Sequence, residues 1–173
     1  MGIAAMKFGR ALIAGLLLVG FAVPGRAETA REAIAMFLFG QPDPDHIVAK
    51  GLYGLDKEDS TVLIAEDDKC RFTVSSPGKS EAIAINFNEV AQIRISIVDN
   101  LASAFAAALF PAAKKQTIKK DIFVQIMGTK NAICSKEECV AKRAFIFTDL
   151  DQLQRARRAA EYFRGHFCHG RVF

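Results

Sequence analysis

Tryptophan is absent from the 173 residues, tyrosine occurs twice and histidine three times. With only His46, His166 and His169 to supply an imidazole, the search for a catalytic base working near neutral pH is short. The arrangements that announce particular chemistries are missing from residues 28–173 as well. There is no G-x-S-x-G nucleophile elbow, H-E-x-x-H metal helix, phosphate-binding P-loop, G-x-G-x-x-G dinucleotide turn or EF-hand loop. The cysteines form no C-x-x-C pair and no C-x-x-C-H, which disfavours thiol–disulfide exchange and c-type haem attachment. Internal repeats and low-complexity segments are also lacking.

An excess of one charge sign is missing too, once the chain is divided at residue 27. The whole sequence carries 23 basic and 19 acidic residues, a net of +4. Lys7, Arg10 and Arg26 precede residue 28 and no acid does, so 20 basic residues face 19 acidic ones in the remainder, a net of +1. That near balance removes the main support for a nucleic-acid partner.

What is present begins with residues 1–27, which have the build of a Sec signal peptide. Lys7 and Arg10 form a positive start, residues 11–23 are apolar, Pro24 breaks the run, and Gly25 and Ala27 place small residues where a signal peptidase reads. Cleavage after Ala27 is expected, leaving 28–173 as a single domain in the periplasm or outside the cell. No lipobox cysteine follows the apolar run and no twin arginine precedes it, which favours a soluble exported product. The run is shorter than the ~20 residues a spanning helix needs, so no transmembrane segment is expected in the mature chain.

Four cysteines in an oxidising compartment read as two disulfides, with three possible pairings. Cys134 and Cys139 flank a short polar loop, where a local bridge is sterically easy. The expected pairing is therefore Cys134–Cys139 and Cys70–Cys168, the second closing a loop of about a hundred residues.

Along the chain, Thr29 with Glu32 forms a capping box that predicts a helix to about Phe39, burying Ile34, Phe37 and Leu38 and stopped by Gly40. Residues 46–59 fit a short helix or an ordered loop. From Thr61 the hydrophobic period switches to two, predicting a hairpin over residues 61–75, then strands over 81–87, 92–98, 122–127 and 143–148. Leu101, Phe105 and Leu109 recur at helical spacing in residues 101–110, a segment apolar all round and stopped by Pro111. Such a helix is either core or a patch that docks on a partner or the membrane surface. The lysines at 114, 115, 119 and 120 suit protection of a strand edge. A final helix, capped by Thr148 or Asp149, carries Leu150, Leu153, Ala156, Ala160, Phe163 and Phe167 on one face, with Asp151–Arg155 and Arg157–Glu161 as possible ion pairs.

For chemistry, the tail His166-Phe167-Cys168-His169 packs two imidazoles and a thiol into four residues, a set that with Cys134 and Cys139 could ligate zinc. An oxidising compartment directs those cysteines to disulfides instead, so no metal or other cofactor is expected. His46 lies beside Asp43 and Asp45, where a carboxylate could orient the ring.

The fold expected from these signals is α+β: an antiparallel sheet of about five or six strands with the N- and C-terminal helices packed on one face, fastened by disulfides. The leading functional expectation is a non-enzymatic exported module that binds a protein or a small ligand. The alternatives are a small periplasmic hydrolase or metal-dependent enzyme using His46 or the His166/His169 tail, and an envelope-associated protein docking through Leu101, Phe105 and Leu109.

Overall fold

The computed structural model describes residues 29–99, 120–136 and 138–169. It opens with helix α1 (Ala30–Phe39), started by the capping box the sequence announces. The Thr29 hydroxyl accepts from the Glu32 N–H at 3.2 Å and the Glu32 carboxylate accepts from the Thr29 N–H at 3.2 Å. Gly40 turns left-handed and ends the helix, its N–H donating to the Met36 carbonyl at 3.0 Å.

Among the described residues nine strands follow, β1 (Ile47–Ala49), β2 (Ser60–Asp68), β3 (Arg71–Ser75), β4 (Ala82–Asn86), β5 (Val90–Asp99), β6 (Lys120–Gly128), β7 (Ile133–Cys134), β8 (Cys139–Val140) and β9 (Lys142–Phe147). Helix α2 (Leu153–His166) closes the described chain, led in by a short 3₁₀ turn that Asp149 caps. All strand pairs are antiparallel.

The strands form two sheets, in the orders β1-β2-β3-β4-β7-β8 and β5-β6-β9, where the sequence led us to expect one. The reason lies in three bends. β4 runs through a 3₁₀ turn at Phe87–Glu89 into β5, β6 runs through residues 129–132 into β7, and β8 is separated from β9 by Ala141 alone. At the first bend the Asn86 N–H donates to the Ala132 carbonyl and the Phe87 N–H to the Cys70 carbonyl, both at 2.8 Å. The chain thus stays hydrogen-bonded through the corner while the ladder changes sheet. The bend also swings the Phe87 ring inward, where it is 2% exposed.

Alternation along the strands places the core as expected for half-buried antiparallel strands. Phe72 and Val74, Ile83 and Ile85, Ile122, Val124 and Ile126, and Phe145 and Phe147 are buried, with more exposed neighbours between them. Residues 46–59 hold neither a helix nor only a loop, because Ile47–Ala49 pairs with β2 as an edge strand. Three residues are too few to declare a period of two, so that strand was not legible.

Every residue of α1 from Ala33 to Phe39 is buried. The helix packs on α2, on β1 and β2, and on β9, so it touches strands at opposite ends of the ladder order. Phe37 of α1, Phe72 of β3, Phe87 and Phe163 of α2 form an edge-to-face cluster at the centre. Cys70, in the β2–β3 turn, is bridged to Cys168, beyond the end of α2. The expected ion pairs on α2 give way to other contacts: Arg155 reaches the Gln152 side chain at 3.4 Å and Arg157 the Ile95 carbonyl at 3.4 Å.

Among the described residues no helix is long and apolar enough to cross a membrane. Residues 1–27, with the expected cleavage site, and residues 101–110, with Leu101, Phe105 and Leu109, lie outside the described residues.

Candidate functional site

The two outer strands of the ladder, β1 and β9, border a groove of about 460 Å³. Its walls include Gln41 just past α1, Val48 from β1 and Lys50 just after it, Ile146 and Phe147 from β9, and Asp149 beyond that strand. The volume falls in the range of ligand-binding clefts. Val48 is 54% exposed, an apolar side chain turned out to solvent.

The backbone of β1 faces two ways. Ile47, Val48 and Ala49 pair with Val62, Thr61 and Ser60 on one side. On the other side the side-chain amide of Gln41 takes the place of a strand. Its Nε2 donates to the Val48 carbonyl at 2.6 Å and its Oε1 accepts from the Val48 N–H at 3.0 Å. A residue of a neighbouring antiparallel strand makes the same reciprocal pair of bonds. Gln41 is held there because Gly40 ends α1 beside β1.

Gly54, in the loop after β1, has a φ of +72°, and a Cβ there would stand 1.9 Å from the Ile146 carbonyl of β9. The loop backbone therefore closes directly on β9, which only glycine permits. An exposed Lys50–Asp59 ion pair of 2.9 Å sits on the rim. Exposed pairs of this kind stabilise by at most about 1 kcal/mol.

The residues singled out from sequence fall elsewhere. His46 Nδ1 lies 2.8 Å from Asp43 Oδ2, with the imidazole 82% exposed. The Asp45 N–H, and then the His46 ring, hold the Asp43 carboxyl below the ordinary aspartate value. This reproduces the orienting half of a catalytic triad. Among the described residues, however, the His46 ring bonds to no hydroxyl or thiol. Arg31 binds Asp45 at 2.6 Å and the Ile64 carbonyl at 2.9 Å, tying the same loop to β2.

His166 and His169 are each tied to the backbone of α2. The His166 ring sits 4.0 Å from the Tyr162 ring with Nδ1 2.9 Å from the Tyr162 carbonyl, and His169 Nδ1 is 3.1 Å from the Arg164 carbonyl. Cys168 between them is bridged to Cys70, and Cys134 is bridged to Cys139, so none of these sulfurs is a free thiolate. Among the described residues no group of three or more His, Cys, Asp or Glu could hold a metal ion. Gln41 and Val48 were not legible as site residues, since a glutamine between a helix-stopping glycine and a proline reads as loop.

Comparison with protein-family models, with curated proteins and with solved structures finds no match to this chain.

Proposed function

We propose that the chain is an exported, non-enzymatic interaction module that receives an extended segment of a partner protein in the groove between β1 and β9. The observation carrying this reading is the Gln41 amide on Val48. It occupies the hydrogen-bonding position of a strand on an edge that no other described strand pairs, so the chemistry that fits there is a peptide group. Added strands gain affinity from main-chain bonds and specificity from alternate side chains. The exposed side chain of Val48 gives those side chains an apolar surface to pack on. Export rests on the leader-like residues 1–27, and the two disulfides fit an oxidising compartment. A hydrolase reading would rest on His46 and Asp43, and the open exposure of that imidazole favours the binding reading over it.

Selection of a displayed random heptapeptide library against the folded protein tests the proposal. Selected peptides are expected to shift the backbone amide resonances of Val48 and Ile146. Gln41→Ala, which clears the edge, should tighten binding several-fold, because a competing occupant lowers apparent affinity. Val48→Pro, which deletes the groove-side donor, should weaken it. Peptides that bind with both variants unchanged, or that perturb a different surface, overturn the reading.

A further inference from the structure

A second cavity, of about 260 Å³, is built by four separate stretches of chain. Tyr53 comes from the β1–β2 loop, Ser80 and Glu81 from the β3–β4 turn, Ser135 and Lys136 from the loop closed by Cys134–Cys139, and Arg143 from β9.

Arg143 occupies an unusual register position. Arg143, Phe145 and Phe147 alternate on one face of β9, opposite Ile126, Val124 and Ile122 of β6. Phe145 and those three β6 residues are fully buried, so the arginine continues a core-facing row. Its guanidinium carbon lies 5.1 Å over the Tyr53 ring, and its Nη1 donates to the Tyr53 hydroxyl. The Tyr53 ring in turn packs on Phe145 at 6.0 Å. A guanidinium stacked in this way has its orientation settled before any ligand arrives, which lowers the entropy lost on binding. Among the described residues no carboxylate forms an ion pair with it, and the remaining N–H donors of its fork are uncommitted.

We propose that this cavity is a binding site for a small oxyanion, a carboxylate or phosphate group, with Arg143 as the principal ligand. The Arg143 fork matches two oxygens of such a group. Lys136 adds a second positive charge and the Ser80 hydroxyl a further donor, while Glu81 is the one acidic group among the described lining residues. The disulfide holds the loop that carries Lys136, so the second cation is presented from a closed turn. The proposal is independent of the β1–β9 groove, with which this cavity shares no lining residue.

Titration of the protein with inorganic phosphate and, separately, with sodium acetate, followed by calorimetry and amide chemical shifts at low ionic strength, tests it. Saturable binding by either probe, with shifts at Tyr53, Ser80 and Arg143 that sodium chloride does not reproduce, is the expected result, and the stronger probe identifies the oxyanion. Arg143→Gln should weaken binding at least tenfold, Arg143→Lys less, and Glu81→Gln should tighten it. Lys136→Gln, on an exposed loop position, should weaken binding several-fold and serves where the Arg143 variants do not fold. No saturable binding by either probe, or affinity unchanged in folded Arg143→Gln or Lys136→Gln, overturns the proposal.

Discussion

The rings of Phe163 and Phe87 meet edge to face with centroids 4.6 Å apart, joining α2 to the corner where one sheet passes into the other. Phe163 also contacts Phe37 of α1 and Phe72 of β3 at 5.7 Å and 6.0 Å. A single side chain thus ties both helices to β3 and to the corner between the sheets. Phe163→Ala should cost about 3–5 kcal/mol, the range for emptying a fully buried aromatic site. Chemical denaturation checks this, and a loss below about 1 kcal/mol would mean the cluster is not the centre of the core.

The two disulfides should differ in what they contribute. Cys70–Cys168 spans 98 positions and Cys134–Cys139 only 5. The loop-closure argument gives about 4–5 kcal/mol for the long bridge and about 2 kcal/mol for the short one, through the unfolded state. Paired Ser variants of each bridge, compared by denaturant midpoint, should rank in that order. The reverse ranking would show that the short loop stabilises by native contacts instead.

Gly54 and Gly78 separate backbone conformation from close approach. Both have positive φ, +72° and +80°, but a Cβ at Gly54 would strike the Ile146 carbonyl whereas one at Gly78 meets nothing within 4 Å. Gly78→Ala should therefore cost only the left-handed conformation, about 1–2 kcal/mol. Gly54→Ala should cost clearly more and should disturb the amide resonances of β9. Equal costs would place the β1–β2 loop farther from β9 than the structure has it.

Asp43 titrates below its ordinary value of 3.8, first because it accepts the Asp45 N–H and then because of His46. A depressed carboxyl pKa contributes stability that is present above the unfolded value and is lost as the pH falls through the folded one. The loss should therefore fall below pH 3.8. Carbon-detected NMR titration of the side-chain carboxyl should give a midpoint under that value, and His46→Ala should move it part of the way back. A midpoint at or above the ordinary value would remove the proposed hydrogen bonds. Because both partners are exposed, the effect on global stability should be small.

Local signals were legible where the physics is local. The Thr29–Glu32 box and Gly40 delimit α1 because caps act on neighbouring backbone groups. The alternation over β2, β3 and β4 and the three-to-four spacing of Ala156, Ala160 and Phe163 reflect one buried face of each element. Arg143 itself stood in plain view as a cation in step with Phe145 and Phe147. Its partner Tyr53, however, lies 90 positions earlier. No spacing rule reaches that far.

By itself, then, the sequence determined the two described helices, strands β2 to β6 and β9 with their apolar faces, the leader-like start and the even set of four cysteines, while the short strands β1, β7 and β8 escaped it. These follow from nearest-neighbour propensity and from periodicity. Tertiary structure alone decided that the ladder bends into two sheets at Phe87–Glu89, that Gln41 covers the edge of β1, and that Arg143 meets Tyr53 beside Lys136 and Ser80. Each of these depends on which distant backbone or side-chain groups are brought within a few ångströms, and that is settled only when the whole core packs at once.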